Sequence, residues 1–193
     1  KLVVRGNGAK LDFSDSAITS GDLFAVGATS QANSADVGFI SIYDLEIIGP
    51  ETLGPGVLPV NDPTGTTVGI SLEYALNVRL YNVAVQSCYT GIQTNFAFPI
   101  VAIGIKIHLC FNCLYLDDDT TLGTWISPEI TSARYCVVIR PGTVTKIVTN
   151  QHFITPRFED SLQAVSIDPR DGTGTGARSI IFDRPYFESV TYD

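Results

Sequence analysis

The chain of 193 residues carries 12 Lys and Arg against 20 Asp and Glu, a formal net charge of −8, which disfavours a nucleic acid or an anionic membrane as a partner bound through bulk charge. With 45% hydrophobic and 17% charged residues, the composition predicts one packed domain over residues 1–193 and excludes general disorder. No apolar stretch reaches the roughly 18 residues that a membrane-spanning helix needs, so membrane insertion is not expected.

Secondary structure is predicted to be all-β. The β-branched residues Val, Ile and Thr outnumber the good helix formers, and Met is absent. Alternation of apolar and polar residues, bounded by Gly, Pro, Asn or Asp, marks six segments, and none of them shows a sustained helical stripe. In chain order the predicted strands cover residues 2–4, 37–48, 76–85, 103–116, 135–139 and 179–187.

An internal repeat relates two of these strands. Residues 40–47 can be laid over residues 78–85, with an aromatic residue followed by Asp44 in one copy and by Asn82 in the other. The parity of the apolar positions changes at these two residues, and Asp and Asn tolerate the left-handed backbone conformation. We therefore predict that Asp44 and Asn82 are equivalent corners. Weaker copies place further corners at Asn112, near Arg184 and, with less support from the pattern, near Arg140.

Stacked β coils explain this repeat better than the alternatives. Repeats of 20 to 50 residues are typical of stacked architectures. A propeller would need a Trp-Asp-like signature in each blade, but the chain has a single Trp, and no Asn-Gly turn joins alternating runs as a hairpin sandwich would require. We predict a parallel β-helix, a single-stranded solenoid. Because the chain has no Met and opens within a strand, we expect it to be a fragment of a longer polypeptide.

Four stretches, residues 3–13, 22–27, 37–47 and 76–92, resemble the first coils of pectate-lyase-like right-handed parallel β-helices, and most of all those of bacteriophage tailspike proteins. The resemblance implies a homotrimer on a virion tail that acts extracellularly at the bacterial surface. It also implies that such a protein binds, and often cleaves, capsular polysaccharide or lipopolysaccharide glycan. The matching motifs are structural, so no catalytic residue follows from them.

Hydrolysis of a glycan needs two carboxylates a few ångströms apart. Asp117 and Asp119 would share one face if the strand before them continued, and like charges packed there would raise one pKa towards that of a general acid. A solvated acidic loop and a calcium site are the alternatives for these residues. Glu73 is a further candidate because its neighbour Tyr74 offers a ring on which a sugar could stack.

Tyr43 and Tyr81 fall at the same place in the two repeats and point outward by parity, so they could form a ladder that binds a sugar chain. The same ladder could instead pack against another subunit or lie under a loop. A lyase of related fold would use a base and a charge neutraliser, for which the nearest candidates are Arg134 with Tyr135, Arg79 and His108.

The cysteines Cys88, Cys110, Cys113 and Cys136 are predicted to be buried free thiols. Cys110 and Cys113 resemble half of a zinc site, but the second closely spaced pair is missing, so neither a metal nor a cofactor is expected. Three functions stay open at this point: a polysaccharide depolymerase that acts as a glycoside hydrolase, a polysaccharide lyase, and a non-catalytic glycan-binding or structural domain.

Overall fold

The computed structural model describes residues 2–28, 30, 38–51, 65–142, 146–168 and 176–192. These residues form strands and no helix, which confirms the all-β prediction. No helix long and apolar enough to cross a membrane occurs among them. The strands are β1 Leu2–Asp12, β2 Ser20–Gly27, β3 Gly38–Ile48, β4 Thr66–Tyr81, β5 Ala84–Gln86, β6 Thr90–Ile103, β7 Lys106–His108, β8 Asn112–Leu116, β9 Thr121–Ile126, β10 Glu129–Ile139, β11 Val148–Ile154, β12 Arg157–Ile167, β13 Ala177–Asp183 and β14 Tyr186–Tyr192.

All pairings between these strands are parallel. The predicted repeat is confirmed in register, since Ile40 lies opposite Val78 and Ile47 lies opposite Val85. Its corners are equivalent, because Asp44 and Asn82 both have φ 50° and the Nδ2 atom of Asn82 donates a hydrogen bond of 3.1 Å to Oδ1 of Asp44.

The predicted open right-handed parallel β-helix is wrong. β3 pairs with β4 and β5, β5 with β7, β7 and β8 with β10, and β8 with β6, which returns to β4. These seven strands close a ring, so the core of the molecule is a closed parallel barrel. Seven further strands lie outside the ring. β1, β2, β9 and β12 pair with strands of the ring, whereas β11 pairs with β9, β13 with β11 and β14 with β12.

The barrel closes because its long strands continue through a bend and pair with different strands on either side of it. In β6, the first half around Ile92 pairs with β8, whereas the second half around Ile100 pairs with β9. In the same way β10 pairs with β7 through Ile130 and with β8 through Val137. One strand therefore has different neighbours on its two halves, and the pairing comes back to its starting point.

Non-glycine residues with positive φ mark the bends. In one row, backbone hydrogen bonds continue from Asn82 through Gly104, Ser127 and Thr155 to Asp183. Ser127 has φ 49°, Thr155 has φ 48° and Arg184 has φ 52°, so the corner predicted near Arg184 is confirmed. The corner predicted at Asn112 is wrong, because Asn112 lies within β8 and the nearby bend is at Leu109.

The interior is apolar and includes stacked aromatic rings. Phe153 lies between Trp125, at a centroid distance of 5.9 Å, and Phe182, at 4.7 Å. The indole Nε1 of Trp125 donates a hydrogen bond of 3.0 Å to Oε1 of the buried Gln151. The four cysteines are buried free thiols, as predicted.

Candidate functional site

An open groove crosses the start of β4, the first half of β6, the strand β8, the second half of β10 and the end of β12. It consists of two adjoining pockets of about 400 and 250 Å³. Both pockets are lined by Tyr89, Asn112, Tyr115 and Arg140. Parallel pairing places the outward residues of successive strands side by side, about 4.8 Å apart, so each side of the groove is a row of side chains from neighbouring strands.

The aromatic wall of the groove consists of Tyr89, Phe111 and Tyr135. The rings of Tyr89 and Phe111 stack with centroids 4.9 Å apart and an interplanar angle of 12°. Tyr135 meets Phe111 edge-on at 5.9 Å. The guanidinium of Arg134 lies over Phe111 at 5.1 Å and over Tyr135 at 5.7 Å, which fixes the outer side of this wall through cation-π contact.

The polar floor of the groove consists of Thr90, Gln93, Asn112 and Tyr115. Register places Thr90 opposite Asn112, and Gln93 opposite Tyr115. Thr90 is 5% and Asn112 is 7% exposed, so both are held in place by their surroundings while they line the pockets. These side chains offer neutral hydrogen-bond donors and acceptors.

The charged wall consists of Asp117, Arg140 and Asp168. Each directly follows a member of the paired set Leu116, Ile139 and Ile167, so the three stand in one row. Nη1 of Arg140 donates to the hydroxyl of Tyr115 over 3.2 Å, and its Nε lies 3.4 Å from Oδ2 of Asp168. Asp117 is only 4% exposed, and its Oδ1 accepts a hydrogen bond from the backbone N–H of Asp118.

The expected pairing of Asp117 with Asp119 on one face does not occur. β8 ends at Leu116, and a turn with φ 53° at Asp119 follows. Oδ1 of Asp119 accepts a hydrogen bond of 3.2 Å from the backbone N–H of Ile147 instead. Of these two carboxylates, the groove is lined by Asp117 alone.

The other predicted site residues lie away from the groove. Glu73 is exposed and accepts a hydrogen bond of 3.4 Å from Asn95, while Tyr74 leans against Phe96 at 5.7 Å. Tyr43 and Tyr81 do form the predicted ladder, stacked at 4.9 Å with an interplanar angle of 5°.

The ladder lies on a part of the surface away from the groove. Each of its two rings covers a face of the other, and the guanidinium of Arg5 lies 5.4 Å from the ring centre of Tyr43.

The residues proposed for a lyase are scattered. Arg134 and Tyr135 belong to the groove, whereas Arg79 lines a separate pocket with Tyr43. His108 lies in the short strand β7, and burial lowers its pKa. These groups do not form one site.

The thiols face the interior and are poor ligands and nucleophiles. Burial raises the pKa of Cys136 to about 12, and the pKa of Cys110 is also raised by burial. A side-chain hydrogen bond with Cys110 and burial both raise the pKa of Cys88. Within the described part of the chain, no three His, Cys, Asp or Glu side chains are grouped so that they could hold a metal ion.

Most groove residues were missed from the sequence. The missed residues are Tyr89, Thr90, Gln93, Phe111, Tyr115 and Asp168, together with Asn112 and Arg140, which were predicted only as corners. The signal that would have found them is a set of three spacings between neighbouring strands: 22 residues from Gln93 to Tyr115, 23 from Leu116 to Ile139 and 28 from Ile139 to Ile167. The repeat of 38 residues describes the step from the first half of β1 to β3 and the step from β3 to β4 and β5.

Comparison with known proteins identifies no relative: no family model, no curated protein and no solved structure matches this chain. The resemblance to tailspike proteins was based on four stretches of sequence and implied an open parallel β-helix, and the closed barrel contradicts that implied fold. The expected homotrimer and virion location stay predictions.

Proposed function

We propose that this protein binds a carbohydrate chain in the groove. The observation that carries the proposal is the meeting of three surfaces in one open groove: the aromatic wall, the polar floor and the charged wall. Aromatic rings suit the apolar faces of sugars, and fixed amide, hydroxyl, carboxylate and guanidinium groups suit their hydroxyls. A bacterial surface polysaccharide, the partner expected from the sequence, has this chemistry.

Tyr89→Ala tests the proposal, with Tyr81→Ala as its matched control. Each variant removes the ring of a tyrosine that stacks on another aromatic ring at a centroid distance of 4.9 Å, Phe111 for Tyr89 and Tyr43 for Tyr81, but only Tyr89 lines the groove. We expect Tyr89→Ala to weaken binding of a bacterial surface oligosaccharide about tenfold or more, roughly 1.4 kcal/mol, as measured by isothermal titration calorimetry. Tyr81→Ala should leave the affinity unchanged.

The reverse result would contradict the proposal. Weaker binding with Tyr81→Ala and unchanged binding with Tyr89→Ala would place the sugar on the ladder of Tyr43 and Tyr81. Urea denaturation of both variants establishes that each is folded under the conditions of the titration.

Hydrolysis of the bound glycan is a second candidate function, and the charged wall favours it. Asp117 and Asp168 stand two strand spacings apart, roughly 9 to 10 Å between their backbones. Inverting glycosidases hold their two carboxyl groups about 6.5 to 9.5 Å apart, a distance that side chains on backbones with this spacing can adopt. If the protein hydrolyses the glycan, Asp117→Asn and Asp168→Asn should each abolish the release of new reducing ends. Wild-type protein that binds a glycan without releasing reducing ends would leave binding as the function.

A further inference from the structure

We infer that the glycan runs across the strands, from β4 to β12, and that the groove takes an extended stretch of about four sugar units in place of a single sugar. This inference rests on the proposed function and names the class of glycan that the same groove takes. It follows from the direction of the two walls and from the register of the residues between them.

Between the walls, residues that line the pockets lie opposite one another in successive strands. One row crosses from β4 to β10 and consists of Val68, Thr90, Asn112 and Tyr135. A second row crosses from β6 to β12 and consists of Gln93, Tyr115, Val138 and Ser166. Each member of both rows lines one pocket or both. The lining of the groove therefore repeats from strand to strand.

The walls run in the same direction as these rows. Tyr89 and Phe111, which stand just ahead of β6 and β8, stack at 4.9 Å, close to the spacing of paired strands. On the other side Asp117, Arg140 and Asp168 form one row across β8, β10 and β12. A glycan that followed a single strand would meet a wall at either end, whereas a glycan that crosses the strands stays between the walls.

The lining extends over five strands. Thr66 at the start of β4 lines one pocket, and Ser166 near the end of β12 lines the other. The four steps between these strands span about 19 Å at a spacing of about 4.8 Å. A hexose in an extended glycan advances the chain by roughly one such step, so about four sugar units fit. The pockets have Asn112 and Tyr115 in common, so one chain can occupy both.

The first test compares fragments of one bacterial surface polysaccharide that contain two and four sugar units. Their binding to the whole chain is measured by isothermal titration calorimetry. We expect the four-unit fragment to bind about tenfold or more tightly, because it contacts both pockets. A longer fragment also has more ways to occupy a short site, but this alone raises the affinity only a few-fold. Equal affinities, or a gain of a few-fold only, would contradict the inference and leave the proposed function intact. Binding of neither fragment would overturn both.

The second test blocks the groove at its two ends. Thr66→Trp places a large ring in one pocket, and Ser166→Trp places one in the other. We expect each variant to weaken binding of the four-unit fragment about tenfold, because the fragment then keeps only one of its two pockets. Thr191→Trp is the matched control: Thr191 is exposed on β14 and lines neither pocket, so the affinity should not change.

The two end variants distinguish the possible results, once urea denaturation has established that each is folded. Loss of affinity in only one of them would confine the glycan to a single pocket and contradict the inference. Unchanged affinity in both, together with weaker binding in Tyr89→Ala, would contradict the inference while supporting the proposed function. Unchanged affinity in all three variants would overturn the proposed function as well.

Discussion

At the scale of single residues, the corners of this fold depend on positive φ at residues other than glycine. Asp44 and Asn82 are recognisable in the sequence because Asn and Asp tolerate this conformation better than most residues. Ser127, Thr155 and Arg184 occupy the same row with the same backbone conformation. Their side chains carry no comparable preference, so continued hydrogen bonding across the row holds them there.

Asn82 gives the prediction at this scale. Asn82→Ala removes the hydrogen bond to Asp44, and it puts at φ 50° a residue whose side chain cannot form the local hydrogen bonds that let Asn adopt this conformation. We therefore expect the free energy of unfolding to fall by about 1 to 2 kcal/mol. Asn82→Gly loses the same hydrogen bond without backbone strain and should be the more stable of the two variants. Urea denaturation compares them, and an Asn82→Gly variant less stable than Asn82→Ala would contradict this account of the corner.

At the scale of elements, the decisive feature is that strands such as β6 and β10 bend and change partner. Alternation of side chains predicts that a segment is extended, and this held for residues 40–47 and 78–85. It does not predict where an extended segment turns when the bend lies at Ser, Thr or Leu. For this reason the sequence indicated all-β structure and parallel register but not the closure of the barrel.

A buried stack of aromatic rings holds the strands β9, β11 and β13 together. Phe153 is fully buried between Trp125 and Phe182. Phe153→Ala should therefore lower the free energy of unfolding by about 3 to 5 kcal/mol, because it removes apolar contacts and leaves a cavity. Leu122→Ala on the neighbouring strand is the control: Leu122 is 53% exposed, and its loss should cost less than about 0.5 kcal/mol. Equal losses for the two variants in urea denaturation would show that the stack is not part of the core.

At the scale of the whole molecule, the groove arises only when five segments are placed side by side. Of the carboxylates proposed from the sequence, Asp117 lines the groove, and its neighbours in the charged wall come from two later strands. No local motif links Asp117, Arg140 and Asp168. Their relation follows from parallel register, which a corner repeat of 38 residues could not reveal.

The most direct test of the account is a nuclear magnetic resonance titration of the ¹⁵N-labelled chain with a bacterial surface oligosaccharide that binds to it. Side-chain amide signals report separately on the groove, through Gln93 and Asn112, and on the pocket with Arg5, through Asn77. We predict that the signals of Gln93 and Asn112 shift in a saturable manner and that the signal of Asn77 does not move. Saturable shifts of Asn77, with Gln93 and Asn112 unchanged, would contradict the assignment of the groove as the carbohydrate site.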